Sequence, residues 1–221
     1  MVSSFTNVIK KGTQFEFEAG RYILIAALSC PFACRALVAR QIKGLSESIE
    51  VEIVDPRKSA EGKWKFDTAG EIPLTTKDKF GHAELKEYYL KSDADYSGAI
   101  SVPVLYDTKS KKIVNNESAD IIRVFNEIAE GPDLYPESLR SKIDEVNGIT
   151  GALGMHLYKT LVVKTKEEYD ASVKQVYEVL GKMDALLSKS KYLAGDAITE
   201  ADIRIFSWIY PDDAVSQKRL K

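Results

Sequence analysis

The chain has 221 residues, 44% of them hydrophobic and 29% charged, which suits a globular protein able to bury a sizeable core without staples. Thirty-one Lys and Arg against 33 Asp and Glu leave a net charge of −2, a balance that excludes a general nucleic-acid binder. Two cysteines, Cys30 and Cys34, and two histidines, His82 and His156, exclude a disulfide framework and a four-cysteine zinc site, and no metal is expected. So few cysteines suit a reducing compartment, so the expected location is cytoplasmic. The longest apolar run, Tyr22 to Leu28, is far short of the ~18–20 residues that a membrane span needs.

That run reads as a buried strand. Ser29-Cys30-Pro31-Phe32 follows, then a helix from Ala33 to Lys43 that Gly44 ends. Ile49 to Val54 alternates as a second strand, so the opening is β-α-β, with parallel strands and a right-handed crossover. Asp55 to Phe80 is polar and reads as a long loop, of a length that is often functional. A short helix over Ala83–Lys91 precedes a hairpin of Ser101–Asp107 and Lys112–Asn115. Ser118 to Glu130 then places Ile121, Ile122, Phe125 and Ile128 on one helical face. The order is similar to the thioredoxin arrangement.

Gly131-Pro-Asp-Leu-Tyr-Pro136 reads as a linker. The predicted architecture is α/β: a thioredoxin-like domain at 1–130, then an all-α domain at 131–221. In the second part, Ser138–Leu161 and Lys166–Ser190 read as helices. Thr199-Glu-Ala-Asp202 is a capping box with Asp in the place of the usual Glu.

Cys30 sits where a strand meets a helix, with Pro31 at the position that best starts a helix. Free N–H groups and the helix dipole favour an anion there, so a thiolate with a lowered pKa is expected. Cys34 lies one turn on, but C-x-x-x-C is not the C-x-x-C redox pair, and a packed cysteine is the simpler reading. Pro103 begins a strand; a cis bond would turn the Val102 backbone outward beside Cys30. Glu117-Ser118 opens the next helix. Its hydroxyl and first N–H groups suit a carboxylate, and its carboxylate suits an ammonium, together the α-amino-acid end of a peptide.

Several segments carry a resemblance: Cys30-Pro-Phe-Ala-Cys-Arg35, Ser101-Val-Pro-Val-Leu-Tyr-Asp107, Ile113-Val-Asn-Asn-Glu-Ser118, Asp120-Ile-Ile-Arg123 and Leu193–Arg204. Over residues 20 to 215 the chain resembles the glutathione transferase superfamily, and within it the Xi class of glutathionyl-hydroquinone reductases and their fungal omega-like relatives. The resemblance implies glutathione as co-substrate, a glutathione-binding role for the domain at 1–130, substrate and dimer contacts for the domain at 131–221, and Cys30 as the catalytic nucleophile. It implies that Val102, beside a cis-Pro103, pairs with the glutathione cysteinyl backbone, and that Glu117 and Ser118 hold the γ-glutamyl end. It implies that Trp64 lies near glutathione, and that Phe32 and Tyr158 face an aromatic substrate.

The chain departs from the pattern in several places. Phe32 and Cys34 stand where the family has Trp and His, Ala99 falls where it commonly has Arg, and Lys63 is inserted in its Gly-Trp-x-Phe segment. The Lys58–Phe80 loop is short, and family chains continue with further helices where this one stops at Lys218–Lys221. An open aromatic pocket and exposed apolar faces around Phe206, Trp208 and Ile209 are therefore expected. The activity implied is glutathione-dependent thiol transfer through a Cys30–glutathione mixed disulfide, with glutathionyl-hydroquinones or related mixed disulfides as substrates. The alternative is a non-catalytic or weakly active glutathione-binding protein of the same fold. Expected partners are glutathione and a small aromatic or disulfide substrate, without nucleic acid or a membrane span; a homodimer is left open.

Overall fold

A computed structural model describes residues 5–67 and 69–215, with side chains through 210. The chain divides into two compact units, Met1–Gly131 and Pro132–Lys221. The first holds β1 (Tyr22–Ala26), α1 (Pro31–Ile42), β2 (Ile49–Ile53), α2 (Lys86–Ser92), β3 (Val104–Asp107), β4 (Lys112–Asn115) and α3 (Ser118–Ile128). The second holds a 3-10 turn, Glu137–Leu139, then α4 (Arg140–Val162), α5 (Lys166–Leu187) and α6 (Glu200–Val215). Among the described residues no helix is long and apolar enough to cross a membrane.

The four strands form one mixed sheet in the order β2-β1-β3-β4. β1 runs parallel to β2, pairing Tyr22 with Ile49, and antiparallel to β3, pairing Ile25 with Val104. All five β1 residues are buried, as a continuous Tyr-Ile-Leu-Ile-Ala run in a central strand should be. Pro31 occupies the first turn of α1. Gly44, at φ +66°, ends that helix in the left-handed conformation, with its N–H on Gln41 O and the Leu45 N–H on Arg40 O. The Arg40 guanidinium then donates to Ile49 O and Ser46 O, fixing the turn into β2.

Both sheet edges are covered. Residues 5–7 bond along β4, through Asn7 N–H to Val114 O and Asn116 N–H to Phe5 O. The polar 55–80 loop folds back on β2, where Thr76 N–H reaches Ile53 O and Ile53 N–H reaches the Thr76 hydroxyl. Alternation along β2 puts Glu50 and Glu52 on one face. Glu50 stays exposed and pairs with Lys79, whereas the loop buries Glu52, which accepts from Lys79 N–H and from the Tyr88 hydroxyl. The Tyr88 hydroxyl also donates to Asp78, whose carboxylate lies 2.9 Å from His82 Nδ1. Burial and the neighbouring Asp78 charge push Glu52 up to about 7.

In the second unit, α4 packs against α5 and α6 around Ile143, Val146, Met183, Leu193, Ala194 and Ala201. The Asp202 half of the capping box forms, its carboxylate accepting from the Thr199 and Leu193 N–H groups. The Thr199 hydroxyl donates to the same carboxylate. A second capping box, Thr165 with Glu168, starts α5. Its signal in the sequence is Thr-x-x-Glu.

Candidate active site

Sheet topology places the chemistry at one edge. β1 and β2 are parallel, β3 opposes β1 and β4 opposes β3. The ends of β1, β2 and β4 and the start of β3 therefore share one edge. Cys30 follows β1, Val102 and Pro103 precede β3, and Glu117 follows β4.

Cys30 is the N-cap of α1 and lies at the rim of the apolar cluster that includes Trp64, Val102 and Ala33. Its thiol donates to the Val102 carbonyl across 3.6 Å. The Val102–Pro103 peptide is cis. Val102 precedes the first β1–β3 pair, so its N–H and C=O are not spent in the sheet. The Tyr89 hydroxyl holds this turn from below, donating to Ser101 O at 2.8 Å and accepting from Ser101 N–H and from Asn116 Nδ2. Tyr89 thus ties the Val102 turn to the residue before Glu117. Sequence reading missed that role, because nothing distinguishes Tyr89 from an ordinary core tyrosine.

The expected lowering of the Cys30 pKa is overturned. Burial pushes the thiol above its ordinary value. The Phe32 and Ala33 N–H groups and the charges of Lys58 and Arg35 act the other way, but desolvation outweighs them. Cys34, half-buried one turn along, places its N–H 2.9 Å from Cys30 O.

Glu117, rather than Ser118, is the N-cap of α3. Its carboxylate accepts from Ala119 N–H at 3.2 Å and lies 3.5 Å from the Ser118 hydroxyl, which is buried in the first turn. Asn115 Oδ1 accepts the Glu117 N–H and so fixes the turn into the helix. Trp64 is buried in the loop after β2, its carbonyl taking the Leu85 N–H. The Lys58 ammonium lies 5.0 Å from the centre of its ring. Phe32 is exposed on α1, with the Arg35 guanidinium over its ring.

Cys30, Val102, Pro103, Glu117, Ser118, Trp64 and Phe32 all belong to the first unit, whereas Tyr158 belongs to the second, exposed on α4. Of the apolar residues expected to be exposed, Phe206 and Ile209 are. Trp208 is half-buried instead, because Gly154 of α4 leaves room for its ring. The closing residues Lys218–Lys221 lie outside the described residues. Among the described residues no cluster of three or more His, Cys, Asp or Glu is placed to hold a metal ion.

A thioredoxin-like unit with a cysteine at the head of α1 and a cis-proline beside it, followed by a helical unit, defines a class that the comparisons match. Residues 29–128 match the family model of the glutathione S-transferase N-terminal domain, and residues 143–213 that of the C-terminal domain. The chain is 40% identical to glutathionyl-hydroquinone reductase YqjG of Escherichia coli, over 91% of this chain and 62% of that protein. It is 37% identical to the glutathione S-transferase omega-like 2 of Schizosaccharomyces pombe, over 100% of this chain and 74% of that protein. Among solved structures, glutathione transferase Xi 1 of Trametes versicolor superposes with a TM-score of 0.87 at 39% identity, over 96% of this chain and 75% of that one. Glutathione-bound YqjG gives 0.88 at 38% identity, over 96% and 73%. The chain belongs to the glutathione S-transferase family, in its Xi and omega-like branch. It spans just under two thirds of the length of the Escherichia coli reductase.

Proposed function

We propose that this protein is a glutathione-dependent thiol transferase that reduces glutathionyl-hydroquinones or related glutathione mixed disulfides. The observation that carries the reading is the Cys30 thiol at the head of α1, 3.6 Å from the Val102 carbonyl beside the cis-proline. Support comes from relatives named glutathionyl-hydroquinone reductases in Escherichia coli and Sphingobium chlorophenolicum, and from the glutathione-bound structure of the former. In this reading residues 1–130 bind glutathione, and residues 131–221 bear the aromatic substrate and any dimer contact. The protein works in the cytoplasm, which its two free cysteines suit.

Glu117 and Ser118 hold the γ-glutamyl α-amino-acid group, and Val102 pairs with the cysteinyl backbone beside Pro103. Trp64 walls the tripeptide, and Phe32 meets the aromatic ring. In the resting site the Cys30 thiol is protonated and occupies the Val102 carbonyl. An incoming cysteinyl N–H competes for that carbonyl, removing an acceptor that favours the protonated thiol. The Cys30 thiolate then attacks the glutathionyl sulfur. The sulfur–carbon bond breaks, the ring carbon takes a proton, and a Cys30–glutathione disulfide forms as the hydroquinone leaves. The thiolate of a second glutathione attacks that disulfide, releasing oxidised glutathione and the Cys30 thiolate. The raised Cys30 pKa favours a second reading, a glutathione-binding protein with weak turnover.

Intact mass after exposure to oxidised glutathione tests the reading. One glutathionyl group should add to the wild type and to Cys34→Ser, and none to Cys30→Ser. Adduct formation without turnover of a glutathionyl-hydroquinone would support the second reading. No adduct on Cys30 would remove both the nucleophile and the mechanism.

A further inference from the structure

Two neighbouring amides join the N-terminal segment to both halves of the candidate site. Residues 5–7 run antiparallel beside β4, with Thr6 opposite Asn115. Asn115 is fully buried; its Nδ2 donates to Asn7 O at 3.0 Å and its Oδ1 accepts the Glu117 N–H at 2.8 Å. Asn116 accepts the Phe5 N–H on Oδ1 at 3.0 Å and donates from Nδ2 to the Tyr89 hydroxyl at 3.3 Å. The Asn116 N–H returns to Phe5 O at 3.1 Å.

The partners fix which way each amide points. A backbone N–H can only donate and a carbonyl can only accept, so Asn115 must turn Oδ1 to Glu117 and Nδ2 to Asn7. The Tyr89 hydroxyl gives its proton to Ser101 O at 2.8 Å and therefore accepts from Asn116 Nδ2. It takes the Ser101 N–H as well. Only an amide serves both ends of either bridge, since aspartate lacks the donor and leucine lacks both functions. The bridges share one anchor, because the Phe5 ring stacks on Tyr96 with 5.4 Å between centres and meets the Tyr89 ring edge-on at 6.0 Å. Their far ends differ. Asn115 ends on the backbone of Glu117, and Asn116 ends, through Tyr89, on the residue before Val102.

We infer that Asn115 and Asn116 are positioning residues for the two ends of one peptide ligand: Asn115 sets the γ-glutamyl end through Glu117, and Asn116 sets the cysteinyl end through Tyr89 and the Val102 turn, with residues 5–7 as their common anchor. This deepens the glutathione reading above and rests on it. The Asn115 bridge is an Asx turn, a side-chain acceptor for the N–H two residues on, and it fixes how the chain enters α3 at Glu117. The Asn116 bridge holds the hydroxyl that holds both backbone groups of Ser101, and so the direction in which the Val102 backbone leaves the sheet.

The test is calorimetry of the full chain with glutathione and with glutarylcysteinylglycine, which lacks only the α-amino group. Wild type should bind glutathione about tenfold more tightly than the analogue, the scale of one hydrogen bond to a charged group. Asn115→Ala should lose most of that preference. Asn115→Ser should keep most of it, because a serine hydroxyl can accept the same N–H. Should Asn115→Ala not fold, Asn115→Gln, which moves the acceptor by one methylene, should lose the preference in its place. Asn116→Ala should weaken both ligands by a common factor of about three to ten and leave the preference intact. Tyr89→Phe lies on the same bridge and should repeat that pattern, whether or not Asn116→Ala folds. Equal weakening of both ligands in Asn115→Ala as well as in Asn116→Ala, the mark of a general loss of structure, overturns the assignment, as does unchanged binding in both. If wild type binds glutathione and the variants do not divide in this way, this inference alone fails. If wild type binds neither ligand, the glutathione reading fails with it.

Discussion

Three glycines of α4 offer a controlled test of how the helical unit is packed. Gly148 and Gly151 are exposed, and a Cβ at either meets nothing within 4 Å. Gly154 is buried, and a Cβ there would lie 2.2 Å, 2.4 Å and 2.8 Å from Cζ2, Cε2 and Cη2 of Trp208 on α6. Carbon atoms rest about 3.5–4.0 Å apart, so the indole would have to retreat by more than about 1 Å in an occupied core. Overpacking of that kind costs about 1–3 kcal/mol. Replacing glycine by alanine inside a helix returns ~0.8–1.0 kcal/mol at all three sites. Gly148→Ala and Gly151→Ala should therefore each stabilise the unit by up to about 1 kcal/mol. Gly154→Ala should destabilise it by up to about 2 kcal/mol once the helix gain is offset. Urea unfolding followed by circular dichroism measures all three. Trp208→Ala combined with Gly154→Ala should show strong non-additivity, because the first removes the atoms that the second strikes. If Gly154→Ala were as stable as Gly151→Ala, the close approach of α4 and α6 would be wrong.

Three further predictions concern the first unit. Because burial holds the Cys30 thiol above its ordinary pKa, its alkylation by iodoacetamide should still be climbing above neutral pH; a plateau already reached at neutral pH would show that the helix terminus outweighs burial. Glu117→Gln should weaken glutathione binding by about 1–3 kcal/mol, the scale of a hydrogen bond to a charged group, while thermal stability hardly changes, since an amide oxygen can still cap Ala119 N–H; unchanged affinity would reduce the residue to a cap. Glu52 has a folded pKa of about 7, above its ordinary 4.5, so its contribution to stability is complete below the lower value and is lost as pH rises through the upper. Chemical unfolding between pH 5 and pH 8 should thus show a decline of about 1–3 kcal/mol in wild type that Glu52→Gln lacks, and parallel profiles would place the decline on another group.

The elements that sequence alone determined are those set by local rules. A seven-residue apolar run of strand length suits a covered strand, proline after Cys30 suits the first turn of a helix, and Gly44 supplies the left-handed residue that ends it. The cis bond at Pro103 was legible only through resemblance, and Trp64 and Tyr158 were singled out only through it, since nothing in the local pattern separates them from an ordinary strand proline, a core tryptophan and a surface tyrosine. Tertiary structure decided what depends on distant neighbours. Local pattern promises an acidic Cys30, but the thiol packs against the apolar cluster and is withdrawn from water, so desolvation outweighs the helix terminus. Alternation along β2 gives Glu52 and Glu50 the same face, yet only Glu52 is buried, because the 55–80 loop returns to it. Lys58 is six residues from Trp64 in sequence and means nothing there; the loop after β2 brings its ammonium over the ring. Helix starts, helix stops and buried strands are written in runs of a few residues, whereas a pKa or the burial of one charge among two is a sum over groups that the chain joins only by folding.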